Sequence, residues 1–164
     1  MASKGERNAE RENNRVVATN RRARREFDLL DTFEAGMVLR GSEVKALRES
    51  KVQLAESYAR IIANEVWLIG LHITTYSHAA GFGSPKLDRD RKLLLNRGEI
   101  DRIAARLEQE PLTLVPLSLY FLNGRAKLEL AIARGRKTHD KRQAIARRDA
   151  DMETQRAMAA ARRR

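Results

Sequence analysis

The chain has 164 residues, 42% hydrophobic and 34% charged, with a formal net charge of +11; that length suffices for one domain with a real core and some length to spare. It contains no cysteine, which excludes disulfides, thiolate zinc sites and a cysteine nucleophile, and no apolar run approaches the ~18 residues of a membrane span. The charge is uneven, with residues 1–25 at +5, 26–133 at −1 and 134–164 at +7, so a near-neutral body carries two basic ends, the layout expected of a protein whose extremities reach for a polyanion.

Residues 1–14 are polar, lack the apolar centre of a signal peptide, and predict a disordered arm on a soluble, cytoplasmic protein. Val16-Val17-Ala18-Thr19 predicts a short strand. It runs into Asn20-Arg21-Arg22-Ala23-Arg24-Arg25, where a helix or turn would present a cationic ridge and a solvated connector fits the residues equally. Residues 27–39 have the branched and aromatic content of a long strand, with a bulge or sharp bend expected at Glu34-Ala35-Gly36. Ser42 is the expected N-cap of a short helix through Arg48, with Glu43 in the first turn, as the helix dipole favours, and Val44 and Leu47 toward the core. Residues 57–63 and 66–73 read as strands turned at Asn64-Glu65, with Trp67 a packing residue of core or rim. Gly81, Gly83, Ser84 and Pro85 predict a mobile loop over 74–90.

Arg91-Lys92-Leu93-Leu94-Leu95 predicts a strand. Asn96 and Glu99 have capping-box spacing ahead of Ile100, Ile103, Ala104 and Leu107 at helical intervals, which predicts a helix over 97–109. Residues 112–122 alternate as a strand, and Pro116 puts an edge or a bulge in it. Asn123-Gly124 is the strongest hairpin signal in the chain. The return strand over 125–133 places Ala126, Leu128, Leu130 and Ile132 on one face, with Arg125, Lys127 and Glu129 on the other. The expected fold is mainly β: a small antiparallel oligonucleotide-binding-type barrel with two or three flanking helices.

From residue 140 onward the sizeable apolar side chains are Ile145, Met152 and Met158, too few to offset an ordering cost of ~1–2 kcal/mol per residue. Alanine is abundant there, without proline or glycine, so helix propensity is high. The tail is therefore expected to be disordered alone and helical where a surface receives it, with Gly135 permitting the change of direction at the join. The domains read as an arm (1–14), a barrel (15–133) and a basic tail (134–164).

The histidines, His72, His78 and His139, offer no metal-pair spacing, and no metal or cofactor is expected. No nucleophile elbow, P-loop or dinucleotide fingerprint occurs. The carboxylates alternate with bases and read as surface salt bridges, leaving a concealed acid–base pair as the enzymatic alternative. Arginine clusters at Arg21-Arg22-Arg24-Arg25, Arg89-Arg91-Lys92 and Arg134-Arg136-Lys137 favour phosphate contacts. The low aromatic content, 5%, favours folded RNA over a stacked single strand.

Several strings in fixed order resemble the small protein B family, the bacterial SsrA-binding proteins that partner transfer-messenger RNA in rescuing stalled ribosomes. They are Asn20-Arg21-Arg22-Ala23-Arg24, Glu34-Ala35-Gly36, residues 41–48, Arg91-Lys92-Leu93-Leu94-Leu95-Asn96, Leu119-Tyr120-Phe121, Asn123-Gly124 with Lys127, and His139-Asp140-Lys141-Arg142. The resemblance implies a barrel that grips the transfer-RNA-like domain of that RNA, with Asn20, Glu34, Leu94 and Asn96 at RNA-binding positions; Arg21, Arg22, Arg24, Lys45, Arg91, Lys92 and Lys127 are further expected RNA contacts, and a monomer is expected. Glu34 would either accept hydrogen bonds from a base or 2′-hydroxyl or hold nearby backbone, and Asn96 would contact RNA, cap a helix, or do both. It further implies that the tail enters the vacant decoding site and messenger path of the small ribosomal subunit, through Gly135, Arg136, Lys137, His139, Asp140, Lys141, Arg142 and Met158. Alanyl-tRNA synthetase and elongation factor Tu would join through the charged RNA. Arg136 stands where the family usually has lysine. The alternative function is a ribosomal or ribosome-assembly protein that binds ribosomal RNA permanently.

Overall fold

The computed structural model describes residues 3–74, 89–136 and 138–163, without the side chains of residues 138–141. Most of the expected loop over 74–90 lies outside the described residues. The first half comprises α1 (Lys4–Asn13), β1 (Val16–Thr19), α2 (Arg21–Glu26), β2 (Phe27–Met37), α3 (Gly41–Arg48) and β3 (Val52–Gln53). Then come β4 (Tyr58–Ile62), β5 (Glu65–Ile69), β6 (His72–Ile73), β7 (Arg91–Leu94), α4 (Arg97–Gln109), β8 (Thr113–Leu122), β9 (Arg125–Gly135) and α5 (Thr138–Arg162).

Strands β8, β4, β5, β7, β2 and β9 pair antiparallel in that order, and β8 also pairs with β9, so the sheet closes into a ring with β1 added outside β8. Closure removes the exposed edges that a sheet of this length would otherwise present. β3 and β6 form a separate ribbon. The ring is filled by Leu68, Leu93, Leu114, Leu119, Leu128, Leu130 and Ile132, with Leu47 from α3 and Ile103 from α4 joining the same cluster. A second cluster lies under α2, where Ala23 packs with Val115, Leu117, Ala131 and Ala133.

The hairpin β8–β9 turns at Asn123 and Gly124, both with positive φ (50° and 76°), as an Asn-Gly turn requires. The β4–β5 turn sits one residue earlier than expected, on Ala63 and Asn64, with φ of 49° and 61°. Pro116 adjoins a register shift in β8, so the expected bulge is real. The bulge expected at Glu34-Ala35-Gly36 is displaced: the shift in β2 falls between Leu29 and Asp31, while Gly36 is needed for close approach. A Cβ added at Gly36 would meet Leu94 Cβ at 3.3 Å. The cap of α3 is Arg40 rather than Ser42, and its backbone N–H donates to Glu43 at 3.1 Å.

Two boundaries also differ. Residues 4–13, expected to be disordered, form α1, held by a box in which Ser3 N–H donates to Glu6 (2.5 Å) and Glu6 N–H donates to the Ser3 hydroxyl (3.2 Å). Its end is fastened to the β8–β9 turn by Gly124 N–H to Asn13 O and Asn123 N–H to Asn14 Oδ1, both 3.1 Å. Polar caps and hooks, not apolar burial, order this segment, so an apolar pattern search does not find it. At the other end, β9 runs past residue 133 to pair Gly135 with Phe27, and Arg136 N–H donates to Glu26 O at 2.9 Å. The bonded strand therefore extends beyond the expected end at residue 133, as far as Arg136.

Among the described residues, the interior contains one charged centre. Arg91, fully buried, donates through Nε to Glu43 at 2.5 Å and through Nη1 to the carbonyls of Leu71 (2.6 Å) and Arg89 (3.0 Å). Arg89 also donates to Glu43, at 2.9 Å through Nε. Burial alone would raise the Glu43 carboxyl, but hydrogen bonds from Arg91, Arg89 and the Arg40 backbone hold it below the ordinary carboxylate range. The pair ties α3 to β7, and removing one partner strands the other's charge in the interior. Arg91→Met should lower unfolding free energy by about 3–5 kcal/mol in urea titration. Because the folded pKa of Glu43 is depressed, its contribution is complete above the ordinary carboxylate pKa and is lost as pH falls through the folded value. A Glu43→Gln chain should therefore show a flatter acid limb of stability against pH than the natural sequence.

Candidate nucleic-acid interface

The outward face of β9 is divided in two. Its distal part, Ala131 and Ala133, lies beneath α2, whereas Lys127 and Glu129 remain half-exposed. Directly opposed residues on paired strands share a face, so the open half is built of two rows. Leu94, Gly36, Lys127 and Tyr120 run across β7, β2, β9 and β8, and Glu34, Glu129 and Ser118 run beside them. Gly36, lacking a side chain, leaves a floor between Leu94 and Lys127. Those three, with Met37, Val44 and Arg125, line a groove of about 320 Å³.

Glu34 is held in this face by side chains. The Tyr120 hydroxyl donates to Glu34 Oε2, and Lys127 Nζ stands 3.9 Å from Oε1. Burial, followed by the hydrogen bond and charge of Glu34, pushes the Tyr120 phenol far above its ordinary range, so it remains a neutral donor. One carboxylate oxygen is thus anchored while a half-exposed carboxylate faces solvent. That arrangement can accept a hydrogen bond from a base or a 2′-hydroxyl, beside an apolar surface at Leu94, which is 52% exposed, and a cation at Lys127. Ser118 donates to Glu129 at 3.1 Å, which leaves the neighbouring carboxylate similarly occupied.

Among the expected RNA-binding residues, Glu34, Leu94 and Lys127 converge here, and Asn96 is exposed two positions beyond Leu94. Asn96 also serves α4, where its backbone N–H donates to Glu99 at 3.1 Å. Lys45 is exposed on α3, next to groove-lining Val44. Lys92, half-exposed, is paired with Glu65 at 2.8 Å.

Two expectations are corrected. Arg91 has no surface to offer a phosphate, since its guanidinium is consumed inside by Glu43 and carbonyls. Asn20 is 3% exposed: its Oδ1 caps α2 by accepting from Ala23 N–H at 3.1 Å, and its Nδ2 donates to Pro116 O at 2.9 Å. Both ends of the Asn20 amide are thus engaged within the fold, where they hold the start of α2.

Those arginines sit at the far end of β9, eight positions from Lys127 to Gly135, about 26 Å of strand. Arg21 and Arg24 are exposed and make no ion pair among the described residues, while Arg22 is engaged by Glu26 (2.8 Å) and Glu56 (2.6 Å). α2 meets the tail helix α5. Gly135 is a paired strand residue, not a hinge. Lys137 lies outside the described residues, and His139, Asp140 and Lys141 are helical, with side chains outside them. Arg142 is exposed, as are Ile145, Met152 and Met158 at 51%, 44% and 61%.

Tyr120, Ser118, Glu129 and Gly36 escaped the sequence-based list of binding residues, although the alternation of β8 and β9 already puts Tyr120 and Ser118 on the face of Lys127 and Glu129.

Known proteins resemble this chain along most of its length. The family model described as SmpB protein matches residues 17–160. An SsrA-binding protein of Anaeromyxobacter dehalogenans (strain 2CP-C) is 53% identical over 150 residues, covering 92% of this chain and 91% of the relative. One from Mycolicibacterium vanbaalenii is 52% identical over 145 residues, covering 88% and 87%. A solved structure described as "tmRNA-SmpB: a journey to the center of the bacterial ribosome" aligns with a TM-score of 0.63 at 42% identity, covering 78% of this chain and 93% of the other. With the family pattern spanning nearly the whole chain and these relatives above half identity, the chain belongs to the SmpB family of SsrA-binding proteins.

Proposed function

We propose that this protein binds transfer-messenger RNA through the open face around Glu34, Leu94 and Lys127 and carries it to stalled ribosomes for trans-translation. The observation that carries this reading is the separation of two RNA-suited surfaces on one rigid strand: a mixed polar and apolar groove at the start of β9, and a basic helix launched from its end. The groove suits the transfer-RNA-like domain, where Glu34 accepts from a base or a 2′-hydroxyl and Lys127 meets phosphate. The tail suits the vacant decoding site and messenger path. Lys137, His139, Asp140, Lys141 and Arg142 lead into ribosomal RNA, and exposed Met158 docks the distal turns. Alanyl-tRNA synthetase and elongation factor Tu reach the complex through the charged RNA.

A chain ending at Arg136, which keeps every pairing of β9, should bind transfer-messenger RNA within about twofold of the full chain, by RT ln K a difference under about 0.5 kcal/mol, and should fail to support tagging in a reconstituted stalled-translation assay. Loss of RNA affinity on that truncation would show that the two surfaces are not separate. A permanent ribosomal protein would instead co-sediment with all small subunits, where an adaptor is enriched on stalled ribosomes.

Salt titration separates the roles within the groove. Lys127→Gln should reduce the log–log salt slope of RNA binding by something like ~0.7–0.9, the value for one phosphate contact on nucleic acid. Glu34→Gln should weaken binding with the slope nearly unchanged, because it removes an oriented acceptor rather than a counterion-releasing cation.

A further inference from the structure

We infer that Arg136 and Asp28 form a clamp that fixes the direction in which the tail leaves the body, making both positioning residues for ribosome engagement. The inference rests on the adaptor reading above and adds the device that aims its second arm.

The geometry is confined to the last residues of β9. Arg136 Nε donates to Asp28 Oδ1 at 2.8 Å, Nη1 donates to Arg25 O at 3.4 Å, and the backbone N–H donates to Glu26 O at 2.9 Å. The side chain is only 22% exposed despite its place at the edge of the body. One residue thus touches the end of α2, the start of β2 and the end of β9. Two positions earlier, Arg134 pairs with Glu110 at the C-cap of α4, so the exit strand is tied from both sides. Gly135 between them has nothing within 4 Å of where a Cβ would stand and is paired with Phe27. The freedom that sequence assigns to Gly135 is therefore removed by its neighbours, and the chain is held as far as Arg136.

An anchored root matters because a helix with little surface to bury must be presented, not searched for. Fixing its origin reduces the orientational freedom lost when it docks, which is how preorganisation raises affinity without any new contact. The guanidinium donates to the Asp28 carboxylate and to one carbonyl, that of Arg25, and is mostly covered, so on this inference Arg136 acts through Asp28.

The test uses full-length Asp28→Asn, Arg136→Gln and the exchange Asp28→Arg/Arg136→Asp, each assayed for transfer-messenger RNA affinity and for tagging on stalled ribosomes. Each single change should leave RNA affinity and thermal midpoint near those of the natural sequence and lower tagging by about two- to fivefold, the range spanned by a partly exposed ion pair. The exchange should restore at least half of the lost tagging. If Asp28→Asn leaves tagging intact, or the exchange is as poor as Arg136→Gln, Arg136 contacts the ribosome itself and the clamp is wrong. A fall in RNA affinity in either single variant would place the pair in the first RNA surface and also overturn it. If the natural sequence itself neither binds that RNA nor supports tagging, the adaptor reading fails instead.

Discussion

The double pairing of β9 is the constraint on which the rest depends. By hydrogen-bonding β2 along one edge and β8 along the other, β9 closes the ring, and closure gives each of its side chains a fixed destination. Leu128, Leu130 and Ile132 must point into the core; the alternate set must point out. Outward positions near the chain exit are small, Ala131 and Ala133, and allow α2 to lie against the sheet. Outward positions near the hairpin are Lys127 and Glu129, which remain half-exposed. One strand thus sets the core, the seat of the arginine helix, the floor of the groove and the point from which the tail departs.

Charge explains why a protein of net +11 has so selective a set of usable cations. In the body, many carboxylates are committed internally: Glu43 to Arg91 and Arg89, Glu65 to Lys92, Glu110 to Arg134, and Asp28 to Arg136. These pairs hold cations in place for architecture, and burial removes Arg91 from any competition for phosphate. Among the described residues, cations outside those pairs include Arg125 at the groove, the outward Arg21 and Arg24 of α2, and Arg142 of the tail, while Lys127 stands 3.9 Å from Glu34. Arg91 and Lys92 are adjacent in sequence yet opposite in fate, because a strand sends successive side chains to opposite faces; one supports the core and the other stands at the surface.

Much of the fold was legible because it rests on local signals. Asn123-Gly124 dictated the hairpin, the Asn96–Glu99 spacing dictated the start of α4, and the alternation in residues 125–133 named the inward and outward faces of β9 correctly. The failures have a common cause, in that they depend on partners distant in sequence. That Arg91 is buried follows from Glu43, 48 positions away, and the capping role of Asn20 is completed by Pro116, 96 positions away. Tyr120 becomes a site residue only when β8 is laid beside β9 and its hydroxyl reaches Glu34, 86 positions earlier. Gly36 looked like a bulge because glycine in a strand has two uses, and only the proximity of Leu94 selects close approach over bending. The family strings contained Asn20, Glu34, Gly36, Glu43, Arg91, Leu94 and Tyr120 but could not say which faced inward.

Rigidity between the two surfaces has a mechanical consequence. Groove and tail root are joined by one paired strand rather than by a linker, so their separation of about 26 Å cannot vary much while the ring is intact. A flexible connection would let the tail sample many positions relative to a bound RNA, and its effective concentration at any one ribosomal site would fall as the sampled volume grew. A strand hydrogen-bonded on both edges instead converts binding at one end into a defined origin at the other. The long helix beyond it meets the body at α2, and its starting point is supplied by the strand that precedes it.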